Sequence, residues 1–476
     1  MAFGDLLEMV GGLGKFQAIH IVLLSIPYIF ASCHNVLQNF MAAVPDHWCR
    51  VPQGDQGSRY LNVTEELLRE EFLRVFLPLD EEGRPDKCRM YSSPQWHLLG
   101  TNETQGNGSQ PDTQACTDGW VYNRSQFTST IVTEWDLVCD RKSLKQMVQS
   151  IYMAGLLIGA CVLGRLSDKW LSESARWLIV NGKEHVALKQ LKRVAKLNGR
   201  EAEGERLTVE ILKASVENDQ LTDKSQSVLD LFRTPVMRRI TCCMMVVWFS
   251  MSFAYYGLSI DLQGFGVNIY LIQLIFGAVD FPAKIVTFLT LSLIGRRFTQ
   301  VTSLTLAGST LLANAIIPKD LQTVRISLAA FGKGCLAATF SGCYLHTGEL
   351  FPTVVRQTGM GLSSSMARLG AMVAPVVRMS GDYIPFLPST IYGGMAVIAG
   401  VTAFFLLETR NVPLPETIDD VENRAKKSSK RVSKLRNEDV PLQEVHTSLM
   451  KQTVEAHPTP HPDAAAPCSY LKAGRP

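Results

Sequence analysis

The chain has 476 residues, of which 46% are hydrophobic, and its formal net charge is +3. Its mean hydropathy of +0.07 is an average over long apolar runs and long polar segments. The small net charge, without a basic domain, argues against a nucleic-acid partner. The eleven cysteines lack the CxxC or His–Cys spacing that is typical of zinc sites, so we expect no metal and no cofactor.

The chain begins with a short segment, residues 1–15, followed by a long apolar run, residues 16–45. This run is too long for a cleavable signal peptide and has no small-residue cleavage site. We therefore expect residues 1–15 to be cytosolic and residues 16–45 to form a retained spanning helix. The polar residues of that helix, Asn35 among them, are expected to face inward.

A polar loop, residues 46–145, follows the first predicted helix. It contains four glycosylation sequons, at Asn62, Asn102, Asn107 and Asn123, and four cysteines, Cys49, Cys88, Cys116 and Cys139. Together they indicate an extracellular, oxidising compartment and disulfide formation. Four cysteines allow three pairings, and the sequence does not choose among them.

The rest of the chain alternates between apolar and polar segments. Residues 146–166 read as a second helix. Its Gly155 and Gly159 either form a face suited to close helix packing or simply occur in a helix that tolerates glycine, and the two alternatives are equally favoured. Residues 167–239 read as a cytosolic loop, 240–407 as a six-helix bundle and 408–476 as a cytosolic, largely disordered tail. The six spans are expected near 240–260, 269–294, 299–317, 323–346, 358–379 and 386–407.

The number of spans predicts the orientation of the termini, and the tail contains a separate basic run. Eight spans are an even number, so both termini are expected in the cytosol. The basic run at residues 424–436 either binds anionic membrane lipid or is a solvated tail.

Three cationic residues, Lys284, Lys333 and Arg368, lie inside predicted spans, where charge is costly and indicates function. Asp280 lies four residues before Lys284, so an intrahelical ion pair and a substrate contact are equally favoured for Lys284. Arg368 has no acidic residue within four positions on its own helix. We therefore predict Arg368 as the principal anion contact, because a guanidinium binds a carboxylate through two donors.

Aromatic residues accompany these charges in the predicted bundle: Trp248, Tyr255, Tyr256, Phe340 and Tyr344. A cavity lined by rings and a few cations suits amphiphilic anions, since the rings contact the apolar body. Helix packing is the better explanation for any one ring, whereas the set together with Arg368 favours a cavity.

Several longer motifs resemble the organic anion transporters of solute carrier family 22, in the major facilitator superfamily. They include MAFGDLLEMVGGLGKFQ, HNVLQNF, CTDGWVYNRSQFTSTIVTEWDLVC, FAYYGL, GAVDFPAK, GKGCLAA, TGELFPTVVRQTGMG and LPETI. The resemblance implies an all-α polytopic carrier of the plasma membrane. It also implies uptake of small organic anions, often in exchange for an intracellular dicarboxylate.

The resemblance also marks individual residues: Asn35, Tyr255, Tyr256, Lys284, Phe340, Tyr344 and Arg368. Cation-transporting relatives tend to carry an acid where Arg368 stands, which favours the anion branch.

One departure from the family lies near residue 170. GRLSDK, at 164–169, begins a motif that normally follows the second helix, and LSESARW, at 171–177, is similar to one that normally follows the sixth. Four helices are therefore expected to be missing, leaving about eight spans instead of twelve.

The sequence leaves several functions open. The first is an organic anion carrier. The second is a non-transporting form that forms homo-oligomers or associates with a full-length transporter. An organic cation or zwitterion carrier is disfavoured by Arg368, and the bundle argues against a receptor-like glycoprotein. An enzyme is not expected, because no nucleophile–base set or phosphate loop is evident.

Overall fold

The computed structural model describes residues 3–12, 14–51, 72–80, 83–98, 111–170, 175–180, 182–217, 228–260, 267–318 and 320–437. By contacts the chain divides into two units, residues 1–421 and 422–476. The eight long helices and the loop between the first two all belong to the first unit. The helix Ile418–Asn437 crosses the boundary and supplies the described part of the second unit.

Within the described residues, eight long helices of the first unit lie at the eight positions where the sequence predicts spans. They are α1 (Lys15–Met41), α2 (Lys142–Trp170), α3 (Pro235–Ile260), α4 (Ile269–Leu293), α5 (Arg296–Ile316), α6 (Gln322–Leu350), α7 (Arg356–Met379) and α8 (Leu387–Phe404). Shorter helices occupy Phe3–Met9, Ile131–Trp135, Ala175–Val180, Glu184–Leu197, Glu201–Glu205, Val209–Glu217 and Asp230–Arg233.

Six of the eight long helices, within the described residues, are long and apolar enough to cross a membrane by length and composition: α1, α3, α4, α6, α7 and α8. The other two, α2 (Lys142–Trp170) and α5 (Arg296–Ile316), do not meet this criterion. Helices thus occupy all eight positions at which spans are predicted, and six of them are apolar enough to be candidate spans.

Helices α3 to α8 form one packed bundle, in which α3 contacts α6, α7 and α8, and α5 contacts α6 and α8. Glycine allows two of these close approaches. A Cβ on Gly308 of α5 would lie 2.8 Å from the carbonyl oxygen of Gly393 of α8, and a Cβ on Gly370 of α7 would collide with the backbone of Phe249 on α3. Small residues at helix crossings are the usual device for packing helices in membranes.

A charged network closes one end of the bundle. Arg296, at the start of α5, binds Glu349 of α6 through two guanidinium nitrogens at 2.8 and 2.9 Å. Glu408 accepts hydrogen bonds from the backbone N–H groups of Arg296 and Arg297, at 2.9 and 3.0 Å. The carboxylate thus satisfies free donors at a helix N-terminus, where negative charge is favourable.

In the part of the loop between α1 and α2 that the structure describes, there are four three-residue strands. Strand β1 (His47–Cys49) pairs antiparallel with β4 (Trp120–Tyr122), and β2 (Arg89–Tyr91) pairs antiparallel with β3 (Thr113–Ala115). The predicted disulfide cysteines are joined as Cys49–Cys116 and Cys88–Cys139. The structure thus selects one of the three pairings that the sequence left open.

Helix α1 is unusual because none of its residues is buried. Helix α2 is better supported, since it packs along α7. The two glycines of α2, Gly155 and Gly159, face open space, since an added Cβ would meet nothing within 4 Å at either position. Their predicted close packing is therefore not found against any described residue.

Candidate functional site

A cavity of about 340 Å³ lies between α1, α2, α3, α4 and α6. Most of its polar lining residues carry an amide or a hydroxyl group. Its lining consists of Ser32, Asn35, Val36, Gln38, Asn39, Gln149, Tyr255, Tyr256, Ser259, Gln273, Phe276, Gly277, Asp280 and Lys333. A concave site with aromatic walls and a few polar groups is typical of small-molecule binding.

The charged group of this cavity is an ion pair between two helices. Lys333 Nζ of α6 lies 2.9 and 3.1 Å from the two carboxylate oxygens of Asp280 on α4. Local packing explains this contact: a Cβ on Gly334 would lie 2.9 Å from Val279, so the glycine lets α6 approach α4 closely beside Asp280.

The predicted ion pair between Asp280 and Lys284 is therefore wrong. The carboxylate of Asp280 is directed to Lys333 across the helix interface, and Lys284 lies on an exposed part of α4. Among the described residues, Lys284 has no ion-pair partner and does not line the cavity. Buried Lys333 attracts Asp280 more strongly than an exposed lysine on the same helix, because screening by solvent is weaker inside the bundle.

Three predicted rings form one wall of the site. Tyr255 contacts Tyr256 and Phe340 edge to face, with ring centroids 5.5 and 5.1 Å apart. Tyr255 and Tyr256 line the cavity, whereas Phe340 supports Tyr255 from behind. The Nζ of Lys333 lies 4.8 Å from the centroid of the Tyr255 ring, which adds a cation–π contact.

Arg368 of α7 is half-buried and is not among the residues that line the cavity. Its guanidinium donates to the backbone oxygen and the hydroxyl of Ser364, at 3.3 and 3.1 Å. Electrostatic interactions connect it with the hydroxyls of Tyr256 and Tyr344. No carboxylate pairs with Arg368 among the described residues.

Trp248 is the predicted site residue that lies inside the core rather than in the cavity. Its side chain is 1% exposed and its indole N–H donates to Thr347 Oγ1 at 3.0 Å. The ring packs edge to face against Tyr344, with centroids 4.6 Å apart. The expectation that Trp248 lines the cavity is therefore corrected: it supports Tyr344, which is half exposed.

Asn35 lies where the sequence predicts it, in the cavity wall contributed by α1. Its Oδ1 accepts a long hydrogen bond, 3.5 Å, from the hydroxyl of Tyr152 on α2. The predicted site residues therefore fall into two neighbouring groups. Asn35, Tyr255 and Tyr256 line the cavity, and Arg368 with Tyr344 lies beside Tyr256.

Sequence reasoning did not choose the amides Gln149 and Gln273, or the pair of Asp280 with Lys333, as site residues. Asn39 donates to Gln273 across α1 and α4 at 3.3 Å, so these amides contact one another. The available sequence signal was Lys333 itself, a cation in mid-helix between two glycines. Its partner depends on which helices are adjacent, and this is not visible in the sequence.

The remaining predicted positions lie outside the cavity. Asn123 is exposed in the loop, and its Oδ1 accepts from the backbone N–H of Ser125 at 3.0 Å. Asn62, Asn102 and Asn107 lie outside the described residues, as do residues 171–174 beside the expected junction near residue 170. Within the described ranges, no three His, Cys, Asp or Glu side chains gather as metal ligands.

These features define a polytopic helical membrane protein with a polar and aromatic cavity inside its helices. Comparison with known proteins agrees with that class. The family described as Sugar (and other) transporter matches residues 170–420.

Individual relatives match most of the chain. Solute carrier family 22 member 6-A of Xenopus laevis is 41% identical, over 90% of this chain and 96% of its own length. Solute carrier family 22 member 6 of Pseudopleuronectes americanus is 41% identical, over 95% of this chain and all of the relative. Solute carrier family 22 member 20 of Mus musculus is 39% identical, over 95% of this chain and all of the relative.

A solved structure, that of a major facilitator superfamily proton:xylose symporter bound to 6-bromo-6-deoxy-D-glucose, is 15% identical. It has a TM-score of 0.37 and covers 59% of this chain and 67% of the symporter. That likeness is too weak to support an inference.

The chain belongs to solute carrier family 22, within the sugar-transporter-like carriers of the major facilitator superfamily. The predicted recognition as an organic anion transporter of this family is confirmed, as is the predicted all-α, major-facilitator-like fold class. The chain is a multi-pass membrane transporter by family, and its relatives are carriers rather than enzymes.

Proposed function

We propose that this chain carries amphiphilic organic anions across the plasma membrane. The observation that supports this most directly is Arg368, a half-buried guanidinium without a carboxylate partner among the described residues. An unpaired cation in such a place is unfavourable, and a ligand carboxylate would complete a charge-assisted pair.

The aromatic wall supplies the second requirement of an amphiphilic ligand. Tyr255 and Tyr256 present their rings to the cavity, Phe340 packs against Tyr255, and an electrostatic interaction connects Tyr256 with Arg368. An aryl group on the rings would place an attached carboxylate toward the guanidinium. Asn35 would add a neutral hydrogen-bonding group at the α1 side.

Exchange against a dicarboxylate is part of the proposal and rests on the family resemblance. Lys284 is the second predicted cation, and it has no ion-pair partner among the described residues. We propose that Lys284 contacts the second carboxylate of such a counter-substrate at a stage of transport different from the one described.

The orientation in the membrane is also a proposal. The loop between α1 and α2 carries two disulfides and an exposed sequon at Asn123. Disulfides persist in oxidising compartments, which supports an extracellular loop and cytosolic N- and C-termini.

A second candidate is a non-transporting protein of the same lineage. Two observations favour it. The alignment with the Pseudopleuronectes relative spans 571 positions, so at least 95 of them (571 minus 476) are gaps in this chain. In addition, α1 buries none of its residues. Alternating access requires two bundles that rock around a central site, and a depleted first bundle would not supply one wall.

Such a form would act through a homo-oligomer or through association with a full-length transporter. An organic cation carrier is disfavoured, because the positive charge of Arg368 would repel the substrate.

Uptake in cells that express this chain tests the first candidate, with surface delivery measured in parallel. We expect saturable uptake of a labelled aryl carboxylate. Arg368→Ala should reduce it at least about tenfold, since truncating one partner of a buried charge pair costs roughly 2–5 kcal/mol.

Arg200→Ala is the matched control, because Arg200 is exposed and forms only a surface ion pair with Glu203. Protein that reaches the cell surface without any uptake would contradict the carrier and support the non-transporting form.

A further inference from the structure

The two members of the Asp280–Lys333 pair are not equally accessible. The Lys333 side chain is 6% exposed, whereas that of Asp280 is 30% exposed, and both belong to the cavity wall. The charge that a ligand meets first in this cavity is therefore the carboxylate.

The ammonium of Lys333 is already fully engaged by the protein. Two of its contacts reach the Asp280 oxygens, and a third is the backbone oxygen of Phe276 at 3.5 Å. An ammonium has three donors and no acceptor, so Lys333 has little left to offer a ligand. The face of the Tyr255 ring, 4.8 Å from Nζ, covers it further.

The carboxylate of Asp280 has acceptor capacity to spare. Its two oxygens provide about four lone-pair positions, and within the described residues Lys333 is the group that donates to them. The remaining positions face a cavity whose volume is about 340 Å³. The positive charge of Lys333 offsets the cost of placing a carboxylate there.

We propose that Asp280, held by Lys333, is a recognition group for a hydrogen-bond donor of the transported ligand. This inference rests on the proposed function and narrows its substrate class. The preferred ligand would carry a carboxylate for Arg368, an aryl body for Tyr255 and Tyr256, and an amide N–H group for Asp280. An aryl acid without a hydrogen-bond donor would displace water from the Asp280 carboxylate and donate no hydrogen bond in its place.

Equilibrium binding to the purified full chain in lipid nanodiscs tests this inference. The probes are an N-aroyl amino acid, which has an amide N–H, and its N-methyl analogue, which does not. We expect the wild type to bind the N–H compound about ten- to a hundredfold more tightly, the range for a hydrogen bond to a charged group.

Two double variants separate recognition from a structural role. A single Asp280→Ala change would strand a buried ammonium and threaten folding, whereas replacing both partners is often tolerated. Asp280→Leu with Lys333→Met removes the pair, and Asp280→Lys with Lys333→Asp reverses it. Both should lose the preference for the N–H compound. The control is Asp320→Asn, because Asp320 is an exposed acidic residue between α5 and α6, and this variant should keep the preference.

The possible results distinguish a failure of this inference from a failure of the proposed function. Equal wild-type affinity for the two probes would overturn the inference and leave the proposed anion binding intact. A preference that persists in the charge-reversed variant would overturn it as well, since the pair would then be purely structural. Failure of the wild type to bind either probe would overturn the proposed function and this inference with it.

Discussion

At the scale of single residues, the role of a side chain is decided by what its polar atoms contact. The indole N–H of Trp248 is satisfied by Thr347, and the ring is buried between α3 and α6. The carboxylate of Asp280 faces a cavity and retains free acceptor positions. The sequence predicts Trp248 and not Asp280 as a site residue, yet of the two only Asp280 lines the cavity.

Trp248→Phe should therefore affect stability rather than binding. The change removes the donor to Thr347 and leaves a small void in the core. We expect the free energy of unfolding to fall by about 1–3 kcal/mol. Thermal unfolding of the purified protein in detergent measures this.

The matched control for that prediction is Trp135→Phe, because Trp135 is 72% exposed in the loop. The assignment of Trp248 to the core would be refuted by unchanged thermal stability together with weakened anion binding.

The ion-pair partner of Asp280 could not be predicted from the sequence. The spacing of four residues between Asp280 and Lys284 predicts a pair on one helix face. The structure pairs Asp280 with Lys333, 53 positions away, because Gly334 allows α6 to approach α4. Spacing along a helix is visible in a sequence, whereas the contact between two helices is not.

At the scale of elements, the sequence predicts helix positions well. The predicted span 269–294 corresponds to α4, Ile269–Leu293, because an apolar run of bilayer length bounded by polar residues has few alternatives. The side chain of Asn268 also caps this helix by accepting from the backbone N–H of Tyr270 at 2.9 Å. The packing of each helix was not predictable in the same way, since it depends on its neighbours.

Helix α1 illustrates this difference. It has the predicted length and no buried residue, yet its first turn is attached to the segment before α3 by one side chain. Asn198 accepts from the backbone N–H of Phe16 at 2.9 Å and donates to the backbone oxygens of Val10 and Gly11, each at 3.0 Å. Gly14 is needed there because a Cβ would collide with Asn198.

Asn198→Ala should loosen the start of α1 and leave the bundle α3–α8 unchanged. Hydrogen exchange in a peptide that contains Phe16 should rise at least about fivefold, as expected for the loss of one or more hydrogen bonds worth about 1 kcal/mol each.

Lys196→Gln, which removes only an exposed ion pair with Glu201, provides the comparison for this variant. Equal exchange at Phe16 in the wild type and in Asn198→Ala would show that the side chain does not anchor α1.

At the scale of the whole molecule, a well-packed six-helix bundle stands beside a sparse pair of helices. The bundle has close glycine crossings and a charged network at one end. By contrast, α1 buries nothing, and the glycines of α2 face open space. The sequence departure near residue 170 predicts such an asymmetry, and the length of the alignment with the Pseudopleuronectes relative supports it.

The cavity lies where the bundle meets α1 and α2. Its inner wall is supplied by the bundle, whereas its outer wall, on the side of α1 and α2, is incomplete. The residues proposed to bind the anion, Arg368 and the rings around Tyr255, belong to the bundle. Ligand binding therefore requires fewer intact elements than transport does. The two candidate functions therefore differ in what the chain must do: a carrier must bind and transport the anion, whereas the non-transporting form can bind it without transport.

The most direct measurement is the equilibrium binding of a labelled aryl carboxylate to the purified full chain, compared between wild type and Arg368→Met. We predict saturable binding by the wild type and an affinity at least about tenfold lower in the variant, because the guanidinium provides the charge-assisted contact. Absence of saturable binding, or equal affinity in the two proteins, would contradict the assignment of this site to organic anions.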